Sequence, residues 1–492
     1  MLTMKTAVVL TALLSSALAD PKVVQMEVER RPSTQRMAQL SKRDDVANVT
    51  LSNAIFDGLY FVNVTIGRPP QMVQLQLDTG SSDIWFFGPG SCSSSSQCRG
   101  GEYDPSESDT VEIIGRGDFF IRYGTPGSRV EGDYILDSLS IANVTVQNLT
   151  MAYATRARAV TTGIMGIGFP ENEAIVALGG DPYPNIMDLL VEQDLINTRT
   201  YSLYLNDLDS KYGTILFGGY DRARFTGPLR TLPIQPESDG VIRSMTVAWT
   251  SLAITDGDDT TRITSGSFAE AALLDSGSTM SLIPDELFEE IVDRFDVITD
   301  SQGLGFASCE TLEDDDLTLD FGFGGEDGLT IRAPMRQFSL PVWDITGDPL
   351  EFTNGERVCQ LGLMPQSALG LPIILGDTFL RGAYVVYDLD NQQISMAQIV
   401  YNAVDSDIVE ITEEDNIGEG PVITGVSVTQ TATGAPAPGY EPTSTGSVSE
   451  SESDDDDDED AGIPSAQVPG LLKSIGVTGI SMLAGMALFA LR

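Results

Sequence analysis

The 492-residue sequence contains no histidine. Without an imidazole the chain cannot use Ser-His-Asp or Cys-His catalysis, and it cannot bind a metal through histidine. Any catalysis must therefore fall to carboxylates, hydroxyls or lysine. The apolar fraction of 41% is still large enough for most of the chain to fold as a globule with a sizeable core.

Positive charge is also scarce. The sequence has 28 Lys and Arg residues against 72 Asp and Glu, which gives a formal net charge of −44. Nucleic acid phosphates would repel such a chain, so no nucleic-acid partner is expected. Self-repulsion falls as carboxylates take up protons, so the composition suits acidic surroundings, although simple solubility explains the same charge.

The N-terminus predicts a secretory signal peptide over residues 1–19. Lys5 precedes an apolar run that ends in the small-residue sequence Ala-Leu-Ala, as at a cleaved signal. A secreted glycoprotein would carry N-x-T sequons, and sequons also occur by chance. They are present at Asn48, Asn63, Asn143 and Asn148.

Cysteine is limited to four residues. In the oxidising compartment that a signal peptide implies, we expect them to form disulfides. Sequence order favours a short loop closed by Cys92 and Cys98 and a long one closed by Cys309 and Cys359. Three connectivities remain formally open.

Residues 20–43 predict a pro-segment. They are rich in Arg and Lys and end in Ser41-Lys42-Arg43 before an acidic pair. A dibasic pair in this setting is typical of a cut by a kexin-like processing protease, which we therefore expect as a partner.

From about Phe56 to Gln398 the pattern predicts strands. Short alternating or β-branched runs are broken by Gly, Pro, Asn and Asp. Only residues 184–196 and 284–295 show apolar spacing near 3.6, each starting at a proline. Many strands with two short helices favour an all-β architecture of one or two large sheeted lobes.

The C-terminus predicts a stalk and a lipid anchor. Residues 403–462 are rich in Ser, Thr, Gly, Pro and acidic residues, which predicts a disordered stalk. As an alternative to a solvated spacer, its aspartate run could bind calcium weakly. Small residues at Asp460, Ala461 and Gly462 precede a spacer and a terminal apolar run. This order predicts a glycolipid (GPI) anchor signal over 463–492 that is removed on maturation, with a transmembrane helix as the alternative.

An internal repeat is the most informative feature. LQLDTGSSDIW (75–85) recurs in form as ALLDSGSTMSL (272–282), and each copy places an Asp on a Gly-supported turn after an apolar strand. Further downstream, GIMGIG (163–168) and IILGD (373–377) echo each other in the same way. Two such halves would bring Asp78 and Asp275 face to face about a pseudo-twofold axis.

Paired carboxylates are suited to acid–base hydrolysis. Two of them a few ångströms apart cannot both ionise, so they share a proton and can activate a water without histidine, metal or covalent intermediate. The residues that follow each Asp can support the pair: glycines through close backbone approach, hydroxyls through hydrogen bonds that lower a pKa. They are Thr79, Gly80, Ser81, Ser276, Gly277 and Ser278.

Seven motifs in register resemble the pepsin-like aspartic proteases over about residues 57–400. They are YFVNVTIGRPPQ, DTGSSDIW, IRYGT, GIMGIGFP, YSLYL…GTILFGGYD, LLDSGSTMSLIP and ILGDTFLRGAYVVYDLDNQQISMA. With the stalk and anchor signal, the chain is similar to the fungal yapsin-like, glycolipid-anchored branch.

The resemblance implies an all-β bilobal fold with two pseudo-symmetric lobes, 44–225 and 226–402, and an active-site cleft between them. It implies that Asp78 and Asp275 are the catalytic dyad, that Tyr123 and Gly124 belong to a flap over the substrate, and that Trp85 hydrogen-bonds the flap tyrosine. The favoured cysteine pairing agrees with the usual bridges of the family.

The activity implied is that of a secreted, surface-anchored endopeptidase that acts on proteins or peptides, as a monomer and without cofactor or metal. Three rival functions are weaker. A catalytically inactive pepsin-like binding protein would have lost an Asp or its glycine, and both are intact. A glycosidase does not need two repeated Asp-Gly turns. A surface adhesin explains the stalk but not the repeat.

Overall fold

The computed structural model describes residues 22–31, 36–37, 59–92, 98–124, 127–344, 347–413, 417–418 and 420–428. Outside them lie the predicted signal peptide, the dibasic pair at 42–43, Asn48, the acidic run of the stalk and the anchor region at 460–462. Within the described ranges no helix is long and apolar enough to cross a membrane.

Strands dominate the fold, with 47% of the described residues in strands and 12% in helices, which confirms the all-β prediction. In chain order the strands are β1 (Val24–Arg30), β2 (Arg36–Met37), β3 (Tyr60–Ile66), β4 (Gln71–Asp78), β5 (Ile84–Phe87), β6 (Glu112–Ile121), β7 (Arg129–Ile141), β8 (Val144–Arg158), β9 (Gly163–Gly166), β10 (Thr200–Tyr204), β11 (Tyr212–Phe217), β12 (Gly219–Asp221), β13 (Phe225–Pro233), β14 (Thr246–Asp256), β15 (Asp259–Arg262), β16 (Glu270–Leu274), β17 (Ser281–Ile283), β18 (Ile298–Thr299), β19 (Gly305–Ser308), β20 (Leu317–Phe323), β21 (Leu329–Pro334), β22 (Ser339–Pro341), β23 (Trp343–Asp344), β24 (Val358–Leu361), β25 (Leu363–Pro365), β26 (Ile373–Leu375), β27 (Ala383–Asp388), β28 (Gln393–Ile399) and β29 (Ile408–Glu410).

The helices are short. They are α1 (Ala174–Ala177), α2 (Ile186–Glu192), α3 (Asp285–Arg294), α4 (Cys309–Leu312) and α5 (Asp377–Leu380). Both helices predicted from apolar spacing are present, as α2 and α3. Asn185 caps α2 with its side chain and forms a capping box with Asp188. In α3, acidic residues begin the helix and Arg294 ends it, an order that suits the helix dipole.

Two large sheets carry the repeat that the sequence predicts. One has 13 strands in the order β13-β28-β27-β10-β11-β1-β3-β4-β9-β5-β8-β7-β6. The other has the path β21-β20-β14-β16-β26-β17-β25, with β15 beside β14. The bilobal prediction is confirmed by these two sheet groups. The predicted division between the lobes at 225 and 226 falls at the start of β13, a strand of the larger sheet.

The same four-strand arrangement occurs in both sheets. In the first, β4 runs parallel to β9, β9 antiparallel to β5, and β5 parallel to β8. In the second, β16 runs parallel to β26, β26 antiparallel to β17, and β17 parallel to β25. The two Asp-Gly motifs thus follow equivalent strands, β4 and β16. Both strands end in fully buried residues, as parallel strands covered on both faces do.

A strand from the predicted pro-segment lies inside the larger sheet. β1 pairs with β11 over six residues and with β3 over two, and it buries Val24, Met26 and Val28. The alternating burial of this strand follows its sequence, in which valine and methionine alternate with polar residues. Strands were expected only from about Phe56, so β1 extends the β structure towards the N-terminus.

The stalk prediction for residues 403–462 is wrong for its first part. β29 pairs with β12, and the side chains of Ile411 and Ile423 are buried. Ile423 also donates its backbone N–H to the Thr231 carbonyl oxygen at 2.8 Å. Single isoleucines in a polar sequence give no periodic signal, but here existing strands provide the surface on which they are buried. The remainder of the stalk lies outside the described residues.

Both favoured disulfides are present. Cys92 is bonded to Cys98 and Cys309 to Cys359, so the other two connectivities are excluded. The second bridge joins α4 to β24 and is buried in the main hydrophobic core.

Candidate active site

Asp78 and Asp275 occupy equivalent positions in the two sheets. Asp78 is the last residue of β4, and its carbonyl oxygen accepts the N–H of Ile167 just beyond β9 at 3.0 Å. Asp275 follows β16 directly, and its N–H donates to the Leu375 carbonyl oxygen of β26 at 3.1 Å. Both side chains are buried, so the sheets hold two carboxyl groups in the interior.

Each carboxyl group accepts the same pair of hydrogen bonds. Asp78 Oδ1 accepts the Gly80 N–H at 2.8 Å, and Asp275 Oδ1 accepts the Gly277 N–H at 2.7 Å. Ser81 Oγ donates to Asp78 Oδ2 and Ser278 Oγ donates to Asp275 Oδ2. These bonds fix the orientation of both carboxyl planes and favour the ionised form of each group.

Thr79 and Ser276 tie the two Asp loops to each other. The Ser276 N–H donates to Thr79 Oγ1 at 3.0 Å, and the Thr79 N–H donates to Ser276 Oγ at 3.2 Å. Each hydroxyl also donates across the pseudo-axis, Thr79 to the Leu274 carbonyl oxygen at 2.9 Å and Ser276 to the Leu77 carbonyl oxygen at 3.0 Å. Four bonds therefore join the turns that carry the carboxyl groups.

The glycines after the two Asp residues allow the carboxyl groups to meet. A Cβ on Gly80 would lie 2.5 Å from Asp275 Oδ1, and a Cβ on Gly277 would collide with Asp78 Oδ1. Each glycine thus faces the opposite carboxyl group, and any larger residue would push the pair apart.

The pair is electrostatically coupled. Burial raises the pKa of Asp78 well above its usual range, and repulsion from Asp275 raises it further. Burial also raises the pKa of Asp275, while hydrogen bonds from Ser278, Asp78, Gly277 and Gly80 lower it. A buried pair of this kind retains one shared proton, because two adjacent charges cannot both be stabilised.

Tyr123 follows β6 and is buried against Trp85. The Trp85 indole N–H donates to the Tyr123 hydroxyl oxygen, and the two ring centroids are 6.4 Å apart. Ser128, directly before β7, accepts the Tyr123 N–H at 3.1 Å and donates to the Tyr123 carbonyl oxygen at 2.9 Å. Burial and the nearby Asp78 raise the pKa of Tyr123 well above its usual range, so the phenol stays neutral. Gly124 follows directly, and residues 125–126 lie outside the described residues.

Two further side chains, which the sequence analysis did not single out, support the Asp loops. Gln76, fully buried in β4, donates from Nε2 to the Gly277 carbonyl oxygen at 2.8 Å. Asn172 donates from Nδ2 to the Gly80 carbonyl oxygen at 3.0 Å. Side chains two residues apart on a strand point to the same face, so Gln76 could have been predicted from the sequence to lie on the same side as Asp78.

The described sequons lie at the surface of the first sheet. Asn143 and Asn148 are exposed near the turn between β7 and β8. Asn63 is exposed on β3, but its Oδ1 accepts a hydrogen bond from Gln74 Nε2 at 3.1 Å. Glycosylation of all four sequons stays a prediction.

Among the described residues, two groups have the spacing of metal ligands. They are Cys92 with Cys98 and Glu102, and Cys309 with Glu313 and Cys359. Both consist of a disulfide beside one glutamate, and disulfide sulfur lacks the thiolate that binds a metal.

Comparison with known proteins gives a consistent result. A sequence profile described as eukaryotic aspartyl protease matches residues 59–399. The chain is 37% identical over 400 residues to the probable aspartic-type endopeptidase opsB of Aspergillus fumigatus, with 80% of this chain and 79% of that protein covered. It is 33% identical over 374 residues to secreted aspartic protease 1 of Candida albicans, with 74% and 86% covered.

Among solved structures, the aspartic proteinase from Irpex lacteus superposes with a TM-score of 0.54 at 22% sequence identity. The match covers 71% of this chain and 96% of that one. At this identity the likeness is one of fold.

Proposed function

This chain belongs to the eukaryotic aspartyl protease family, and from that membership we propose that Asp78 and Asp275 are its catalytic pair. The chain is an aspartic-type endopeptidase of the pepsin-like class. We propose further that it cleaves protein or peptide substrates outside the cell, at acidic pH and attached to the surface by a lipid anchor.

The observation that supports this assignment best is the symmetric, buried carboxyl pair. Two equivalent loops from two sheets are joined by four hydrogen bonds, and each supplies one Asp with a backbone and a hydroxyl donor. A structural role alone does not require two buried acids in contact, because burying a like-charged pair costs free energy.

The chemistry follows from one proton shared by two groups. The ionised carboxylate takes a proton from a water as the water oxygen attacks the peptide carbonyl carbon. The protonated partner gives its proton to the carbonyl oxygen, which leaves a tetrahedral diol. In the second step the pair protonates the amide nitrogen and takes a proton from the diol as the C–N bond breaks. The pair then holds one proton again.

The flap would shield this reaction. Tyr123 is fixed by Trp85 on one side and by Ser128 on the other, at the end of the β6–β7 hairpin. A closed hairpin excludes water and strengthens electrostatic interactions at the dyad. Below the lower pKa of the pair both acids are protonated, and above the upper one both are ionised. The rate should therefore be bell-shaped in pH.

The test is digestion of an unstructured protein at pH 4 with and without pepstatin. We expect cleavage that pepstatin blocks and that Asp78→Asn or Asp275→Asn lowers by about a thousandfold, within the range for loss of an acid–base group. Asp320→Asn is the matched control, since Asp320 is also buried and accepts hydroxyl bonds from Thr255 and Thr318. Cleavage that ignores pepstatin or survives both dyad substitutions would refute the assignment.

Location and processing are proposed on sequence signals. A signal peptide at 1–19, cleavage after Arg43 by a kexin-like protease and a lipid anchor near 460–462 would yield a surface enzyme. The stalk between body and anchor would then begin after Val428. Release from membranes by phosphatidylinositol-specific phospholipase C is expected. Retention after that treatment would favour a transmembrane helix instead.

A further inference from the structure

Asp83 is a further buried acid close to the dyad, and the proposed mechanism does not use it. It lies five residues after Asp78, directly before β5, and is 1% exposed. Among the described residues no Lys or Arg lies within ion-pair distance of its carboxyl group. A buried acid without a counter-ion is costly, so its hydrogen bonds must hold it in place.

Those bonds come from three separate segments. Asp83 Oδ1 accepts the hydroxyl of Tyr183 at 2.8 Å and that of Tyr134, in β7, at 3.2 Å. Asp83 Oδ2 accepts the N–H of Ala174, the first residue of α1, at 2.7 Å. The Ala174 amide can only donate, so Oδ2 acts as an acceptor. Burial raises the pKa of Asp83, while these three hydrogen bonds lower it.

The tyrosines held by Asp83 form one end of an aromatic row, defined as Tyr183, Tyr134, Phe119, Trp85 and Tyr123. The Tyr134 ring packs edge-on against Tyr183 at 5.8 Å and against Phe119 at 5.3 Å. Phe119 lies 6.5 Å from Trp85, which is 6.4 Å from Tyr123 and donates to its hydroxyl. The row therefore connects Asp83 to the residue that closes over the dyad.

Asp83 also precedes Trp85 by two residues on the same strand segment. Its backbone oxygen accepts the Gly166 N–H at 3.1 Å, which fixes the segment against β9. The carboxylate thus holds the row at its far end while the backbone holds Trp85. In a close-packed interior, a displacement at one end of such a row is transmitted to the other.

We propose that Asp83 is a positioning residue for the flap: its carboxylate fixes Tyr134, Tyr183 and Ala174 so that the aromatic row holds Tyr123 over the dyad. The proposal rests on the assignment of Tyr123 as the flap tyrosine. Asp83 does not touch the reacting atoms and acts only through the row.

The chain offers a matched control in Asp137, at the opposite end of β7 from the flap. Asp137 is also buried and accepts hydroxyls from Tyr103 at 2.8 Å, Ser108 at 2.8 Å and Thr110 at 2.6 Å. Substitution of Asp137 therefore removes a comparable set of hydrogen bonds. Its partner Tyr103, however, packs on Phe86 and does not belong to the aromatic row.

The experiment measures hydrogen exchange of the hairpin amides at 119–123 and 128–131 in the full chain. Asp83→Asn turns one acceptor oxygen into a donor, so we expect exchange there to speed up on the order of tenfold, as for loss of a buried hydrogen bond. Asp137→Asn should lower thermal stability similarly but leave hairpin exchange unchanged. Should Asp83→Asn fail to fold, Tyr183→Phe with Tyr103→Phe as its control repeats the comparison by removing one hydroxyl.

Activity is the second readout. With active sites counted by inhibitor titration, Asp83→Asn should lower kcat/KM on the order of tenfold, less than the hundredfold that a 1 Å misplacement can cost. Equal hairpin exchange in the Asp83 and Asp137 variants, or faster exchange with unchanged kcat/KM, would overturn the proposal. An inactive wild-type chain would refute the dyad assignment instead, and hairpin exchange would still decide whether Asp83 holds the flap.

Discussion

Thr79 and Ser276 illustrate how little chemistry the dyad support needs. The two residues differ by a methyl group, yet their hydroxyls make the same pair of bonds, donating across the axis and accepting the partner's N–H. The hydroxyl alone is therefore the required group. Since each bond crosses from one Asp loop to the other, the separation of the carboxyl groups depends on both sheets.

Glu173 is a residue whose charge state differs between the folded and unfolded chain. It is 1% exposed, its Oε2 accepts the Tyr183 N–H at 2.8 Å, and burial raises its pKa to about 10. In the unfolded chain a glutamate titrates near 4.3. Between these values the folded state binds one more proton, so the free energy of unfolding falls as pH rises.

Glu173→Gln should remove this pH dependence. Glutamine mimics the neutral acid and can still accept the Tyr183 N–H. The variant should therefore match the wild type near pH 4 and become progressively more stable than it towards pH 8, as seen in melting temperatures across that range. Glu171→Gln, two residues earlier and exposed, should show no such trend. A constant difference between Glu173→Gln and wild type over this range would contradict a neutral buried Glu173.

At the scale of elements, the sequence was most informative where a strand ends in a glycine-bearing turn. The Asp-Gly repeat and its downstream echoes predicted β4, β9, β16 and β26, because an apolar run followed by a turn leaves few other structures. Both helices followed from their spacing. β29 was missed because three residues in a polar segment carry no period.

β1 was missed for a different reason. Its alternation is clear, with three buried residues at every second position. Because it precedes the dibasic pair, however, the sequence analysis included it in the pro-segment, which is expected to be removed. A segment can precede a processing site and still form part of a sheet. Only the pairing of β1 with β11 and β3 shows that this segment lies in the larger sheet.

The candidate site also has a part that the sequence predicts and a part that only the structure shows. The dyad, its hydroxyls and glycines, Tyr123 and Trp85 all lie in continuous motifs and could be named from sequence. Asp83 lies inside one of these motifs, but its partners Tyr134 and Tyr183 are 51 and 100 residues away. Contacts at such separations follow from how the sheets fold, which no local pattern records.

At the scale of the whole molecule, the segment after β28 joins parts of the fold that are distant in sequence. β29 adds to β12, and the Glu410 carboxylate accepts from the Lys22 backbone N–H at 3.1 Å and from Asn197 Nδ2 at 2.6 Å. Further on, Val428 donates its N–H to Gln235 Oε1 at 2.9 Å. The segment up to Val428 is thus part of the catalytic body, and any stalk can begin only beyond it.

The buried isoleucines of this segment should contribute to the stability of the whole body. Ile411 belongs to a buried hydrophobic cluster that includes Tyr204, Leu229 and Tyr384, and Ile423 is part of the main core. Ile411→Ala and Ile423→Ala should each lower the free energy of unfolding by about 2–4 kcal/mol, as for other large-to-small core substitutions.

Val404→Ala provides the matched control, because Val404 is 93% exposed and shortening its side chain should leave stability within about 0.5 kcal/mol of wild type.

Shortening the chain from its C-terminus tests the contribution of the whole segment. A chain ending after Val428 should melt at the temperature of the full chain, and one ending after Asn402 should melt several degrees lower, because it exposes the surfaces that both isoleucines cover. Equal melting temperatures for the two truncated chains would mean that residues 403–428 do not stabilise the catalytic body and would favour a stalk that begins at residue 403.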